Sequence, residues 1–208
     1  MRKAERGFTL VELAIVLVII GIILGAVLKG RELINNAKAK RTLNDLKGFE
    51  VLALTFYDRY GRLPGDGDRD GLFDGNNLNW NLDNNYDDNP SNQFLTSANG
   101  DPDAPLAELE RARLVPVTPH RVLARHPFNG GFFYMAHDIN GDGARDNLIL
   151  VEHIPCYAAK VIDTAIDGTI NATQGKIIET TGGTVNTTAS GWTCANEDDL
   201  VEFVYLLD

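Results

Sequence analysis

Apolar residues run almost unbroken from Phe8 to Leu28, interrupted by Thr9, Glu12 and small glycines, and no proline appears before Pro64. As an α-helix, this run of about 21 residues would measure about 31 Å, the thickness of a hydrocarbon core. A secretory signal sequence fits it poorly, because such a segment has an apolar core of about 7 to 15 residues and ends at a small-x-small site. Past Lys29, Gly30 and Arg31 the pattern changes. Ala39, Leu43, Leu46, Phe49, Ala53, Phe56 and Tyr60 recur in steps of three and four, the stripe of an amphipathic helix with one buried face. Lys38, Lys40, Arg41, Asp45 and Lys47 fill the remaining circumference. The two patterns join into one long helix from Phe8 to about Tyr60, with Gly21, Gly25 and Gly30 as places where it can bend. Its first half suits lipid and its second half suits a globular domain.

Pro64-Gly65 stops the helix, and the stretch from Gly65 to Asp103, rich in Asp, Asn and Gly, reads as loop. Two apolar, β-branched and aromatic runs follow, "GFFYMAH" and "NLILVEHI", which read as the strands of a hairpin. The segment "CYAAKVIDTAIDG" from Cys156 places Tyr157, Val161, Ile162, Ala165 and Ile166 at helical spacing, with Gly168 as the stop. "KII", "GTVNTT" and "LVEFVYLLD" read as further strands, Leu200 to Leu207 being the closing one. The prediction is an α+β chain in which a long N-terminal helix packs on a small antiparallel sheet.

A length of 208 residues with 44% hydrophobic content fits one compact domain plus one extra element. The net charge of -10 is unevenly spread: residues 1–64 hold 11 Lys/Arg against 6 Asp/Glu (+5), and the rest 8 against 23 (-15). An acidic head repels phosphate backbones, so nucleic acid is not an expected partner, whereas divalent cations are.

Two loops carry that acidity in a definite spacing. In "GDGDRDGLFDGNN", Asp66, Asp68, Asp70, Gly71 and Asp74 occupy positions one, three, five, six and nine of the calcium-loop pattern. There, alternating carboxylates converge on one hard cation and glycine permits the turn. In "DINGDGARD", Asp138, Asn140, Asp142, Gly143 and Asp146 repeat the spacing between the two hairpin strands. Neither loop has the closing glutamate, Asn77 and Ile149 standing in its place. One or two calcium sites are expected; the alternative is that Asn140-Gly141 and Asp142-Gly143 are turn dipeptides on a solvated loop.

Cys156 and Cys194 are the only cysteines and lack the C-x-x-C spacing of metal and redox motifs. A disulfide between them is expected if this part lies outside the cytoplasm, and two buried thiols otherwise. Catalytic motifs are missing: the chain has no H-E-x-x-H pair, no G-x-S-x-G elbow and no phosphate-binding glycine loop. His120, His126, His137 and His153 are scattered, and His137 beside Asp138 would point to the opposite strand face. No enzyme is expected, and Trp80 and Trp192 read as packing or surface aromatics.

Gly7-Phe8-Thr9-Leu10-Val11-Glu12-Leu13, behind a leader containing Arg2, Lys3 and Arg6, resembles the prepilin signature of type IV pilins and type II secretion pseudopilins. Lys29 stands where many members of that family have proline. The resemblance implies a leader at 1–7, a membrane-spanning and polymerisation helix at 8–28, an amphipathic continuation at 29–62 and a globular head at 63–208. It implies cleavage by a prepilin peptidase between Gly7 and Phe8, and N-methylation of Phe8. Glu12 would then meet the new Phe8 amine of a neighbouring subunit, since a lone carboxylate in lipid must be protonated or paired. Further implied are a single-pass location in a bacterial inner membrane with the head in the periplasm, and assembly into a filament with copies of itself or other pilin-like subunits on an inner-membrane platform. Orientation rests on this resemblance, because Lys29, Arg31, Lys38, Lys40 and Arg41 outnumber the basic residues of the leader. The alternative of another class is a membrane-tethered calcium-dependent binding module that does not polymerise.

Overall fold

The computed structural model describes residues 9–75, 80, 82, 86, 103–181, 183–186 and 191–207. Contacts divide the chain into two compact units, the division falling between Ala37 and Lys38. In the first unit, the apolar part of helix α1 (Leu10–Tyr60) is exposed along its length, and the helix is long and apolar enough to cross a membrane. Gly21, Gly25 and Gly30 are all helical. Lys29 and Glu32, one turn apart just past the apolar run, pair at 2.7 Å.

In the second unit, α1 turns the predicted stripe inward. Ala39, Leu46, Phe49, Ala53 and Phe56 are buried and Leu43 partly so. The polar Thr42 joins them, its hydroxyl donating to the Lys38 carbonyl at 3.1 Å, so its oxygen is not left bare. Tyr60, expected on this stripe, is instead half exposed, because the helix ends there. Gly61 adopts φ +69 and donates its N–H to the Tyr57 carbonyl, a left-handed stop that the nearby Pro64 reinforces.

The remaining elements are α2 (Asp103–Arg111), α3 (His120–Leu123), β1 (Phe132–His137), β2 (Asp146–Pro155), α4 (Cys156–Asp167), β3 (Ile177–Thr181), β4 (Thr184–Val185) and β5 (Leu200–Leu206). The sheet is antiparallel throughout, in the order β1-β2-β5-β3-β4. The architecture is pilin-like α+β: a long N-terminal helix packed against a five-stranded antiparallel sheet. The hairpin and the last strand lie where the sequence places them, and the last strand is the central one of the sheet. Residues 187 and 188 of the expected "GTVNTT" strand lie outside the described residues.

Register explains why both faces are apolar. Tyr134, Ile149, Tyr205 and Ile177 align across four strands on one face, next to the row Phe132, Val151, Phe203 and Glu179. Phe49 of α1 sits on this face, 4.9 Å from the Phe132 ring and 5.5 Å from that of Tyr134, whose hydroxyl donates to the Phe49 carbonyl. Tyr205 donates to Glu50 Oε2 at 2.9 Å. The opposite face carries Phe133, Leu150, Val204 and Ile178, with Phe133 stacked on Tyr86 and edge-on to Trp80.

Helix α4 follows β2 directly and ends at Gly168, whose N–H returns to the Thr164 carbonyl. Its buried face is Cys156, Ala158, Ala159, Ile162 and Asp163; of the expected line, Ile162 is buried and Tyr157 and Ile166 are partly so, whereas Val161 and Ala165 are exposed. Small alanines allow close approach to the sheet, and Asp163 is drawn inward by the Trp192 indole, which donates to its Oδ2 at 3.0 Å. A disulfide joins Cys156 to Cys194 with 6.3 Å between their Cα atoms. Trp80 and Trp192 are both packing residues, 4% and 8% exposed. Helix α2, nine residues long, is too short for its periodicity to stand out beside the polar stretch that precedes it.

Candidate functional sites

Three places carry chemistry: the start of α1, the acidic loops and a set of buried histidines. Thr9 and Glu12 form a capping box at the start of α1. The Thr9 backbone N–H and hydroxyl both donate to Glu12 Oε2 at 2.8 Å, and the Glu12 N–H donates to Thr9 Oγ1 at 3.2 Å. Each residue satisfies a helix-end donor of the other. The signal that finds it is Thr-x-x-Glu before an apolar run, which hydropathy and charge alone pass over. Within one chain, then, Glu12 caps its own helix while standing at the head of an exposed apolar segment. Gly7 and Phe8 lie outside the described residues.

Residues 2–28 match the prokaryotic N-terminal methylation motif.

That prepilin-type motif covers the basic residues before Phe8, the capping box and the apolar half of α1. Nothing among curated proteins and nothing among solved structures matches the chain.

In the head, the two acidic loops adopt the same backbone path. Positions four and six have positive φ in both: Arg69 (+63) and Gly71 (+87) in one, Gly141 (+71) and Gly143 (+87) in the other. The carboxylate at position one accepts the N–H of the glycine at position six in each case, Gly71 to Asp66 at 3.2 Å and Gly143 to Asp138 at 2.9 Å. The carboxylate at position five accepts the N–H at position seven, at 2.8 Å in both. Spacing alone therefore dictates the path of both turns, since short carboxylates reach their own loop's amides.

Their surroundings differ. In the first loop, oxygens of Asp66, Asp68 and Asp70 lie within 4.8 Å of one another, a group able to hold a metal. Asp74 joins its rim by accepting the Gly67 N–H at 3.0 Å. Burial, together with the like charges of the cluster, raises the Asp66 and Asp74 carboxyls above the usual carboxylate range. In the second loop Asp138, Asp142 and Asp146 form no such group among the described residues. Asp138 is instead pulled below the ordinary range by the N–H groups of Gly143, Gly141 and Asp142. Asp146 starts β2 opposite His137.

Long-range contacts fix the first loop against the sheet. Asn147 on β2 accepts the Phe73 N–H and donates to the Gly71 carbonyl, both at 2.9 Å. The Ala136 N–H of β1 bonds the Gly75 carbonyl at 2.6 Å. At the other end Arg62 grips Glu108 of α2 with two parallel bonds of 2.6 and 2.7 Å, and Gly65 N–H adds a third at 2.8 Å. Arg145, from the second loop, reaches Asp70 at 3.2 Å. No spacing rule points to Asn147, Glu108 or Arg145, which lie far from the loop in sequence.

The buried histidines are structural. His126 has its Nε2 2.8 Å from the Glu152 carbonyl and its Nδ1 facing the Phe128 N–H. These partners fix a neutral ring protonated at Nε2, and burial holds its pKa down at about 4. His120 has Nδ1 2.7 Å from Asp103 Oδ1 and Nε2 3.5 Å from Glu110 Oε2, so it ties α3 to both ends of α2. The half-exposed His153 lies at the irregular step of β2 with φ +51, beside Glu152.

Proposed function

We propose that the chain is a structural subunit of a type IV pilus-like or type II secretion filament, assembled through its N-terminal helix. The observation that carries this reading is the methylation motif at 2–28 fused to one helix, Leu10–Tyr60, which is apolar and exposed at its start and buried under a folded head at its end. A tether needs only the first part. A helix that runs on without a break into a head can transmit load from a packed helical core to that head.

Glu12 is the residue on which assembly turns. A lone carboxylate in hydrocarbon costs about 3 kcal/mol on insertion scales, and the capping box offsets part of that by keeping its oxygen bonded. Cleavage after Gly7 would liberate an amine on Phe8, which in a helical bundle can pair with Glu12 of an adjacent copy and set the axial register. The motif supports processing by a prepilin peptidase and anchoring of the unassembled subunit in a bacterial inner membrane, the head lying beyond it.

Mass spectrometry of the mature chain tests processing: it should begin with a methylated Phe8, and retention of Met1 in cells with an active peptidase would sink the reading. Glu12→Val tests assembly. The variant should still fractionate with membranes and yet leave no sheared filaments; filaments in wild-type amount would refute the role of Glu12, and a wild-type chain that forms none would return it to the class of tethered binding modules.

A further inference from the structure

We propose that the arginine-bearing surface over residues 111–125 is a docking site for the acidic segment Glu197–Leu200 of a second copy of this chain. The contact is between heads and does not depend on how the apolar helices pair.

The observation that carries this is charge segregation. Residues 111–137 hold four arginines (Arg111, Arg113, Arg121 and Arg125) and no Asp or Glu, whereas the other residues of 65–208 hold four Lys/Arg against 23 Asp/Glu. All four arginines are exposed, and among the described residues no carboxylate engages the guanidinium of Arg113 or Arg121. Arg113 stands where glycine is usual. Helix α2 ends in a Schellman turn, the Leu114 N–H returning to the Leu109 carbonyl and the Arg113 N–H to that of Glu110, both at 2.9 Å, and Arg113 takes the left-handed position at φ +57. A residue with a side chain loses stability there that glycine would keep, so the head forgoes stability in presenting a cation at this point.

Two apolar side chains share the surface. Val117, between Pro116 and Pro119, is 85% exposed, and Val122 on α3 is 59% exposed. The prolines stiffen the backbone, and His120, buried between Asp103 and Glu110, anchors α3, so little is left to order on docking. Arginines around exposed apolar groups have the composition of a protein interface, and a guanidinium fork matches a carboxylate.

The complement is on the same chain. Outside α1, the other exposed large apolar residues among those described are Val161, Ile170 and Leu200, and Leu200 directly follows the acidic run Glu197-Asp198-Asp199. Lys160 holds Glu197 at 2.7 Å and the Asn196 N–H holds Asp199 Oδ2 at 2.7 Å, which leaves the exposed Asp198 for a partner. The segment is itself fixed, since the carbonyls of Glu197 and Asp199 accept the Tyr157 and Cys156 N–H groups at 3.0 and 2.8 Å. Acid beside leucine thus matches arginine beside valine, and two different patches of one chain make a contact that can repeat from copy to copy.

Thiol cross-linking of the full-length chain in detergent micelles tests this, with the native disulfide left oxidised and a short bismaleimide as probe. A chain carrying Val117→Cys is mixed with a differently tagged chain carrying Leu200→Cys. The mixed cross-link should exceed that of either chain alone at least about 5-fold, and should fall at least about 3-fold when salt is raised to about 0.5 M. Arg121→Glu in the first chain should lower the yield at least about 3-fold, and Asp198→Arg in the second should then restore it. A mixed yield no higher than that of the separate chains, indifference to salt, or failure of the reversed pair to restore it would each overturn the assignment. So would an environment-sensitive fluorophore on the Val117→Cys thiol that shifts to the blue with phosphatidylglycerol-doped micelles and not with added wild-type chain, which would give the surface to anionic lipid.

Discussion

Glu108→Gln probes the clamp that positions the acidic loop. The wild-type pair is bidentate at 2.6 and 2.7 Å, its side chains are 18% (Arg62) and 8% (Glu108) exposed, and the Gly65 N–H shares Glu108 Oε2 at 2.8 Å. Glutamine keeps the shape but turns an NH₂ group toward a donor and leaves the guanidinium without its counter-charge. Breaking a fully buried pair costs about 3–5 kcal/mol; with Arg62 at the rim, partly hydrated, about 2–3 kcal/mol is the fitting figure. For a chain of this size that loss lowers the melting temperature by about 5–10 °C. Near-ultraviolet circular dichroism follows it in the head, where Trp80 and Trp192 are buried, without interference from the apolar helix. A melting shift below about 2 °C would mean that the clamp is solvated and contributes no more than a surface ion pair.

Acid should destabilise the head through His126. Its folded pKa of about 4 lies below the ordinary 6.5, so between those values the unfolded chain takes up a proton that the folded one refuses. The His126 contribution is complete above pH 6.5 and is lost as pH falls toward 4, roughly 3 kcal/mol in all; denaturant midpoints across that range should show it, and His126→Gln should flatten that part of the profile. Replacing Cys156 and Cys194 by serine removes a link across 38 residues, worth about 4 kcal/mol by loop-closure entropy. Chemical denaturation of the double variant measures this, and an unchanged midpoint would contradict it. Leu46→Ala on the buried stripe should cost about 2–5 kcal/mol, whereas Leu54→Ala, on the exposed side of the same helix, should stay within about 0.5 kcal/mol. Equal effects would show that the stripe is not the packing face.

Local pattern carries the sequence a long way. The exposed apolar helix, the inward stripe from Ala39 to Phe56, the hairpin strands and the shared path of the two acidic loops follow from periodicity and from side chains bonding amides a few residues away. The capping box of Thr9 and Glu12 is as local as these, though it is written in two residue types rather than in hydropathy. Tertiary structure decided what depends on partners remote in the chain. It made the last strand central, rotated α4 so that Asp163 meets Trp192, and tied Arg62 to Glu108 and Asp103 to His120. It also separated two loops of equal spacing: Asp66 is buried in a loop held by Glu108 at Gly65 and by Asn147 at Gly71, while Asp138 is partly open to water. Spacing fixes which atoms a loop can offer; burial, which no short stretch encodes, fixes whether those atoms still lack a partner.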